Sequence, residues 1–361
     1  MTLASFKAFD ADGHIFENER EIYEFLPSMF RGHEELLKTS LFPSADSWNR
    51  TALSITGRYK EGLTSKLYKR ADLEVTARQW LEFLDAANVE GTVLYPTAAL
   101  GFARVKEVEW GIALAQAYND WMHEHFTKSN PRIRAMALLP LQDPQAAAEE
   151  FKRAVTKLGM VGGVVIAGHR RRALGDRCYD PIYKAAQELD KALAVHAGGP
   201  GDRFDVFERA IEARCLGHPT SLMIEMTSMM FGGVFDRFPA ARFSFMEGGV
   251  AWALFLRERM QEAYDQWGVQ APDLKRSPDE HLSSGRIFFH CELDERIIPY
   301  AASVLGENAL MYASDFPHIS PERSLNEKRE FMERSDIPEP AMVKILRENA
   351  LRLYKIKPGG H

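Results

Sequence analysis

Eight short apolar runs recur along the chain, at 6–11, 91–97, 133–140, 162–168, 192–198, 242–248, 286–292 and 310–316, and amphipathic segments separate most of them. That rhythm constrains the fold more than any other feature. Runs such as "GGVVIAG" and "ALAVHAG" are continuously apolar, so they read as strands covered on both faces, the condition of a parallel sheet. The intervening "DPQAAAEEFKRAVTKLG" and "DPIYKAAQELD" each open with Asp-Pro, a helix-start signal in which Asp caps and Pro takes the first turn. Eight strands alternating with helices predict an α/β chain closed as a (β/α)8 barrel of the TIM type, with a doubly wound open sheet as the other arrangement. Residues 18–75 carry no such rhythm. Their "LFPSADSWNRTALSITGRYKEG" mixes turn formers with aromatics, and reads as a lid-like insertion after the first strand, within a single domain spanning 1–361.

With 361 residues, 45% of them hydrophobic, the chain can bury a large core. Its net charge of −6 argues against nucleic acid or an anionic membrane surface as a partner and leaves a small molecule as the natural one. Cys178, Cys215 and Cys291 are odd in number and widely spaced, which fits a reducing compartment better than a disulfide framework. The N-terminus has no apolar signal region and no run approaches the length of a membrane span, so the expectation is a cytoplasmic protein.

In a barrel of this kind the chemistry sits at the carboxyl ends of the strands. Five of the eight runs end in a ligand-type or acid–base side chain: the first in Asp12 and His14, the fifth in His196, the sixth in Glu247, the seventh in His290 and Glu292, the eighth in Asp315. Asp12 and His14 lie two apart, so on a strand both point to one side and can chelate a single ion from one rigid element. With His196 and Asp315 they make a mixed nitrogen and oxygen set that suits a divalent ion, Zn, Mn or Fe. One position would remain for water, whose pKa such an ion lowers. Each residue also has a plainer reading. An Asp-x-His triplet is common, His196 can be a core imidazole bonded to a loop carbonyl, and Asp315 can be a turn or cap residue. Their convergence on one face of the barrel favours the metal site. Arg170, Arg171 and Arg172 follow the fourth run and read either as a solvated charge run or as a clamp for a substrate carboxylate. His218, just before a proline, reads as a loop residue, and "SLMIEMTSMMF" as core packing.

The runs "NPRIRAMALLPLQDPQAAAEEFKRAV", "GMVGGVVIAG", "YDPIYKAAQELDKALAVHAGG", "GGVFDRFPAARFSFMEGG" and "ENALMYASDFPH", in that order, resemble the amidohydrolase superfamily. Within it they are similar to the branch named for aminocarboxymuconate semialdehyde decarboxylase, over nearly the whole chain except 18–75. The resemblance implies a barrel that holds a divalent metal through a pair on strand one, a His on strand five and an Asp on strand eight. Those roles fall on Asp12 and His14, His196, and Asp315, with Asp315 also handling protons. Decarboxylases of the branch place His or Glu where this chain has Asp12, and a second His at the end of strand six, where it has "MEGG" and Glu247.

Glu247 can therefore be the base for the bound water, if burial raises its pKa, or a further ligand. The first option leads to a metal-dependent hydrolase or non-oxidative decarboxylase of a small organic acid, amide or lactone, covered by Trp48, Arg58 and Tyr59 of the insertion. The second, with His290, Asp10 and His318, supplies two ions and a dinuclear non-haem iron or iron–manganese hydroxylase. A third reading, a barrel that has lost catalysis and serves as a partner subunit, is at odds with an intact ligand set. Relatives of the branch are often dimers, so the resemblance implies a homodimer.

Overall fold

Every one of the eight runs contributes a strand. They are β1 (Ala8–His14), β2 (Val89–Tyr95), β3 (Ile133–Leu138), β4 (Gly162–Ile166), β5 (Ala192–His196), β6 (Arg242–Met246), β7 (Ile287–His290) and β8 (Leu310–Met311). The computed structural model describes residues 6–32, 40–43, 75–168, 172–198 and 206–357. Neighbouring strands are parallel and follow chain order from β1 to β8. The circle closes where Ala11 N donates to Tyr312 O (3.2 Å) and His14 N donates to Phe316 O (2.7 Å). That seam makes the sheet a (β/α)8 barrel rather than an open one. Strand β8 is only two residues long because the chain leaves the ladder at once to build the loop that carries Asp315.

The helices follow from the patterns between the strands. Pro144–Lys157 buries Ala147, Phe151 and Ala154, a stripe at spacings of four and three, and the Asp143 side chain accepts from Gln145 N and Ala146 N. The second Asp-Pro behaves differently. Asp180 lies inside the helix Asp180–Leu189, capped by Tyr179, and its carboxylate pairs with Arg237 at 2.7 Å. Of the insertion, residues 18–32, 40–43 and 75 are described. Asn18 caps the helix Glu19–Glu24 there, whereas the proposed cover residues Trp48, Arg58 and Tyr59 lie outside the described residues. Among the described residues no helix is long and apolar enough to cross a membrane.

In-register pairing sets which side chains share a face. Ile166 opposes His196, His196 opposes Met246, and Phe245 opposes Phe289. Side chains of paired residues in a parallel sheet point the same way, so His196, Met246 and His290 lie on one face at the carboxyl end of the barrel.

Candidate metal centre and active site

Strand β1 delivers its two candidate ligands through the triplet Asp12-Gly13-His14. A Cβ at Gly13 would press on the Trp80 ring and lie 2.7 Å from Thr92 Oγ1 and 2.8 Å from Asp10 Oδ2, so only glycine fits between them. Both flanking side chains are buried. His14 Nδ1 donates to Pro96 O at 2.8 Å, which leaves the Nε2 lone pair free. On β5, His196 Nδ1 donates to Ala197 O at 2.9 Å with the same result. His14 Nε2 lies 3.5 Å from Asp12 Oδ1 and 3.6 Å from Asp315 Oδ1, and His196 Nε2 lies 3.4 Å from Asp12 Oδ2.

These spacings bear on what the cluster can hold. Asp12 Oδ1, His14 Nε2 and His196 Nε2 are buried and have no hydrogen-bond partner among the described residues. Unpaired buried acceptors are costly and rare. Donor atoms that share one ion, each about 2.1 Å from it, stand about 3.0–3.4 Å apart at octahedral to tetrahedral angles. Asp12, His14 and His196 can thus hold a divalent ion, and His14, Asp315 and His318 form an overlapping group; in each, the ligand atoms all lie within 4.8 Å of one another. Burial and the nearby His318 lower the His14 imidazole to about 4, so it is neutral and its lone pair is available. At His196 burial acts in the same direction, but the Asp12 and Glu247 carboxylates outweigh it and raise the group to about 9, so a cation binding there takes the place of a proton on Nε2.

Asp315 and Glu247 both follow their strands in the left-handed backbone region, at φ 48° and 59°. For a residue with a Cβ that conformation costs about 1–2 kcal/mol, and strain of this kind gathers at functional sites. Asp315 Oδ1 bonds His318 Nδ1 at 2.8 Å, and His318 Nε2 bonds Thr97 Oγ1, also at 2.8 Å. The His318 ring stacks on His14 with centroids 4.1 Å apart. Burial would raise the Asp315 carboxyl, yet His318 holds it below the usual range, and Asp315 in turn raises His318 against its own burial. Glu17 fixes the far end of this chain by accepting from the backbone N–H groups of Thr97, Ala98 and Ala99.

Glu247 differs from the expectation of a carboxyl raised by burial. Its Oε2 is 3.6 Å from His196 Nε2 and its Oε1 3.7 Å from His218 Nδ1. Burial alone would raise it, but the surrounding imidazoles of His218, His196, His14 and His318 hold it well below the usual range. His218 itself is not in a loop: it sits in the helix Ala210–Phe231, which runs straight through Pro219. The proline masked that helix in the sequence, because a Pro within a helical pattern is ordinarily read as a break.

Of the groups expected for a second ion, His318 and Glu247 lie beside the cluster, whereas Asp10 and His290 are engaged differently. Asp10 is fully buried with both oxygens engaged: Oδ1 accepts from Ser314 N (2.7 Å) and Asp12 N (3.3 Å), and Oδ2 from Thr92 Oγ1 (2.7 Å) and Ser314 Oγ (2.8 Å). It ties β1 to β2 and to the loop before Asp315. His290 Nδ1 accepts from Glu247 N at 3.2 Å, so its proton is on Nε2. Neither residue belongs to a group of potential ligands among the described residues. Arg172 pairs with Asp176 at 3.1 Å on the loop after β4, while Arg170 and Arg171 lie outside the described residues. That loop is also anchored where Leu174 N donates to Glu225 at 2.8 Å, a contact with no sequence signal.

Known proteins bear on this geometry directly. The amidohydrolase family matches residues 10–356. A gamma-resorcylate decarboxylase of Rhodococcus jostii is 26% identical over 338 residues, covering 87% of this chain and 96% of that protein. A 2-amino-3-carboxymuconate-6-semialdehyde decarboxylase of Dictyostelium discoideum is 23% identical over 255 residues, 68% of this chain and 67% of that one. The solved 5-carboxyvanillate decarboxylase of Novosphingobium aromaticivorans, with manganese bound, has the same fold at a TM-score of 0.75 and 18% identity, covering 97% of each chain. The barrel closed at its seam, the carboxyl-end cluster of His and Asp, and a match running through almost all of both lead to one conclusion: the chain belongs to the amidohydrolase family and is an enzyme.

Proposed function

We propose that the enzyme is a metal-dependent, non-oxidative decarboxylase of a small hydroxyaromatic acid. The observation that carries this reading is the meeting of two kinds of group at one point. Lone pairs of Asp12, His14 and His196 converge without partners among the described residues, and the hydrogen-bonded Asp315–His318 pair stands 3.6 Å from His14. The decarboxylase names of the relatives support it, and the manganese in the Novosphingobium enzyme makes manganese the first ion to test.

A divalent ion held by Asp12, His14, His196 and Asp315 would supply Lewis acidity toward the oxygens of the bound acid. The remaining work falls to the chain's own groups. Asp315 and His318 hold one proton between them, and Asp315 delivers it to the ring carbon that bears the carboxylate. The bond between that carbon and the carboxylate then breaks, its electron pair returns to the ring, and carbon dioxide leaves. Thr97 and the His14 ring keep His318 aligned for this transfer. Glu247, held ionised, orients His218 and His196 and does not serve as the base expected of a raised carboxyl.

The test is turnover of γ-resorcylate (2,6-dihydroxybenzoate) and a panel of other hydroxybenzoates by manganese- or zinc-loaded protein in D2O. The expected product has lost carbon dioxide and gained one deuterium at the vacated carbon. Hydrolysis of amides or lactones, with no carbon dioxide from any hydroxy acid, would overturn the proposal.

A further inference from the structure

Three imidazoles face the carboxyl end of the barrel from strand ends, and each presents its Nε2, but not all in the same hydrogen-bonding role. His14 and His196 each spend an Nδ1–H on a backbone carbonyl and turn a bare Nε2 to the interior. His290 is wired the other way. The group beside its Nδ1 is the backbone N–H of Glu247, 3.2 Å away, and an amide N–H can only donate. Nδ1 is therefore the acceptor, and the proton of the neutral ring is on Nε2. His290 is 2% exposed, and that Nε2 is buried with no partner among the described residues.

The register places the side chain on the functional face. Phe289 pairs with Phe245, so His290 stands level with Met246, which in turn opposes His196. A buried N–H donor left unpaired is costly in a folded protein, as are the bare acceptors beside it. Two bare nitrogens attract a cation, whereas a lone N–H attracts an acceptor oxygen.

We propose that His290 is a substrate-orienting donor, whose Nε2–H binds an anionic oxygen of the organic acid and not a second metal ion. The proposal rests on the decarboxylase reading for the identity of that acid. It gives the site two unlike sides, a cation side built from Asp12, His14 and His196 and a donor side at His290, which together fix a ring carrying oxygens at neighbouring positions.

The test uses manganese-loaded full-length protein and 2-nitroresorcinol, in which a nitro group stands where the carboxylate would be. Its dissociation constant is measured for the wild type, His290→Phe and His290→Gln, with metal content measured on each. Loss of a hydrogen bond to a charged acceptor weakens binding about 10- to 100-fold, so His290→Phe is expected to bind at least about tenfold more weakly. His290→Gln, which keeps an N–H, should recover part of the loss, and all three proteins should hold the same single equivalent of metal. On the zinc-loaded wild type, 15N spectra of labelled histidine should show His290 Nε2 carrying a proton that exchanges more slowly once the ligand is bound.

Equal affinity in wild type and His290→Phe would overturn the assignment alone. So would a metal content that falls from two to one in the variant, or an Nε2 resonance without a proton. Failure of the wild type to bind 2-nitroresorcinol or any hydroxybenzoate would overturn the decarboxylase reading, and this assignment with it.

Discussion

Replacing Asp10 separates two properties of a buried carboxylate, its charge and its shape. The group accepts four hydrogen bonds, and the two sides differ. At Oδ1 the donors are backbone N–H groups of Asp12 and Ser314, which cannot be reversed, and at Oδ2 they are the hydroxyls of Thr92 and Ser314, which can. Asp10→Asn with its oxygen at Oδ1 and its NH2 at Oδ2 satisfies every partner once the hydroxyls turn. Burial outweighs the four donors and raises the Asp10 carboxyl from 3.8 to about 6, so the charge costs the folded protein about 3 kcal/mol at neutral pH. The amide escapes that cost and gives up the charge-assisted strength of two N–H bonds, about 1 kcal/mol each. Asp10→Asn should therefore unfold within about 1 kcal/mol of wild type at pH 7.5. Asp10→Ala escapes the same charge cost but orphans two buried N–H groups, at about 1–3 kcal/mol each, and should be about 2–6 kcal/mol less stable than Asp10→Asn.

The pH dependence has a definite sign. A carboxyl raised on folding contributes stability that is complete below 3.8 and gone above about 6, so wild type should gain about 1.4 kcal/mol on Asp10→Asn between pH 7.5 and pH 5. Urea unfolding of chelator-treated proteins at the two pH values measures both quantities. An Asn variant as unstable as the Ala variant, or a wild-type-to-Asn difference that does not move with pH, would refute the reasoning.

Further predictions concern the rest of the site and one pair remote from it. Asp12→Ala, His14→Ala and His196→Ala should each lower bound manganese from one equivalent to below about a tenth, read by elemental analysis after dialysis, because each removes one converging donor. Thr97→Val deletes the hydroxyl partner of His318 and should lower kcat about tenfold with metal content unchanged; an unaltered kcat would remove Thr97 from the proton-handling chain. Far from the site, burial raises Asp236 but donors from Lys275, His281 and Arg276 outweigh it and hold the carboxyl at about 2. That depressed group stabilises the fold above about pH 4 and ceases to as pH falls toward 2, so Asp236→Asn should cost about 1–2 kcal/mol at pH 7 in chemical unfolding and progressively less in acid.

The barrel was legible because parallel strands covered on both faces leave unmistakable apolar runs, and "GGVVIAG" or "ALAVHAG" can be little else. The cluster of Asp12, His14, His196 and Asp315 was legible for a related reason: strand ends are fixed points, and a polar residue closing an apolar strand stands out. What escaped was everything that reaches the site sideways. His218 arrives from a helix that continues through Pro219, and Thr97 from the turn after β2; neither carries a local pattern. Asp10 and His290 were visible, but their roles were not. In the sequence both look like ligands; the structure adds the four donors on Asp10 and the Glu247 amide on His290 Nδ1. Which atom of a side chain is already spoken for is decided by backbone groups hundreds of residues away in some cases, and no spacing rule encodes that.

The seam between β1 and the chain beyond β8 has a kinetic meaning as well. Asp10 meets Ser314 across a separation of 304 residues, and Asp12, His14 and Asp315 stand on the two sides of the same joint. Pairings this distant in sequence must overcome the loop-closure entropy of nearly the entire chain before they yield anything, and they form late and slowly. On the ribosome, the first strand waits for the last to be made. Asp315 thus joins Asp12 and His14 only at the final step of assembly, and a chain stopped short of residue 315 lacks one of the four proposed ligands.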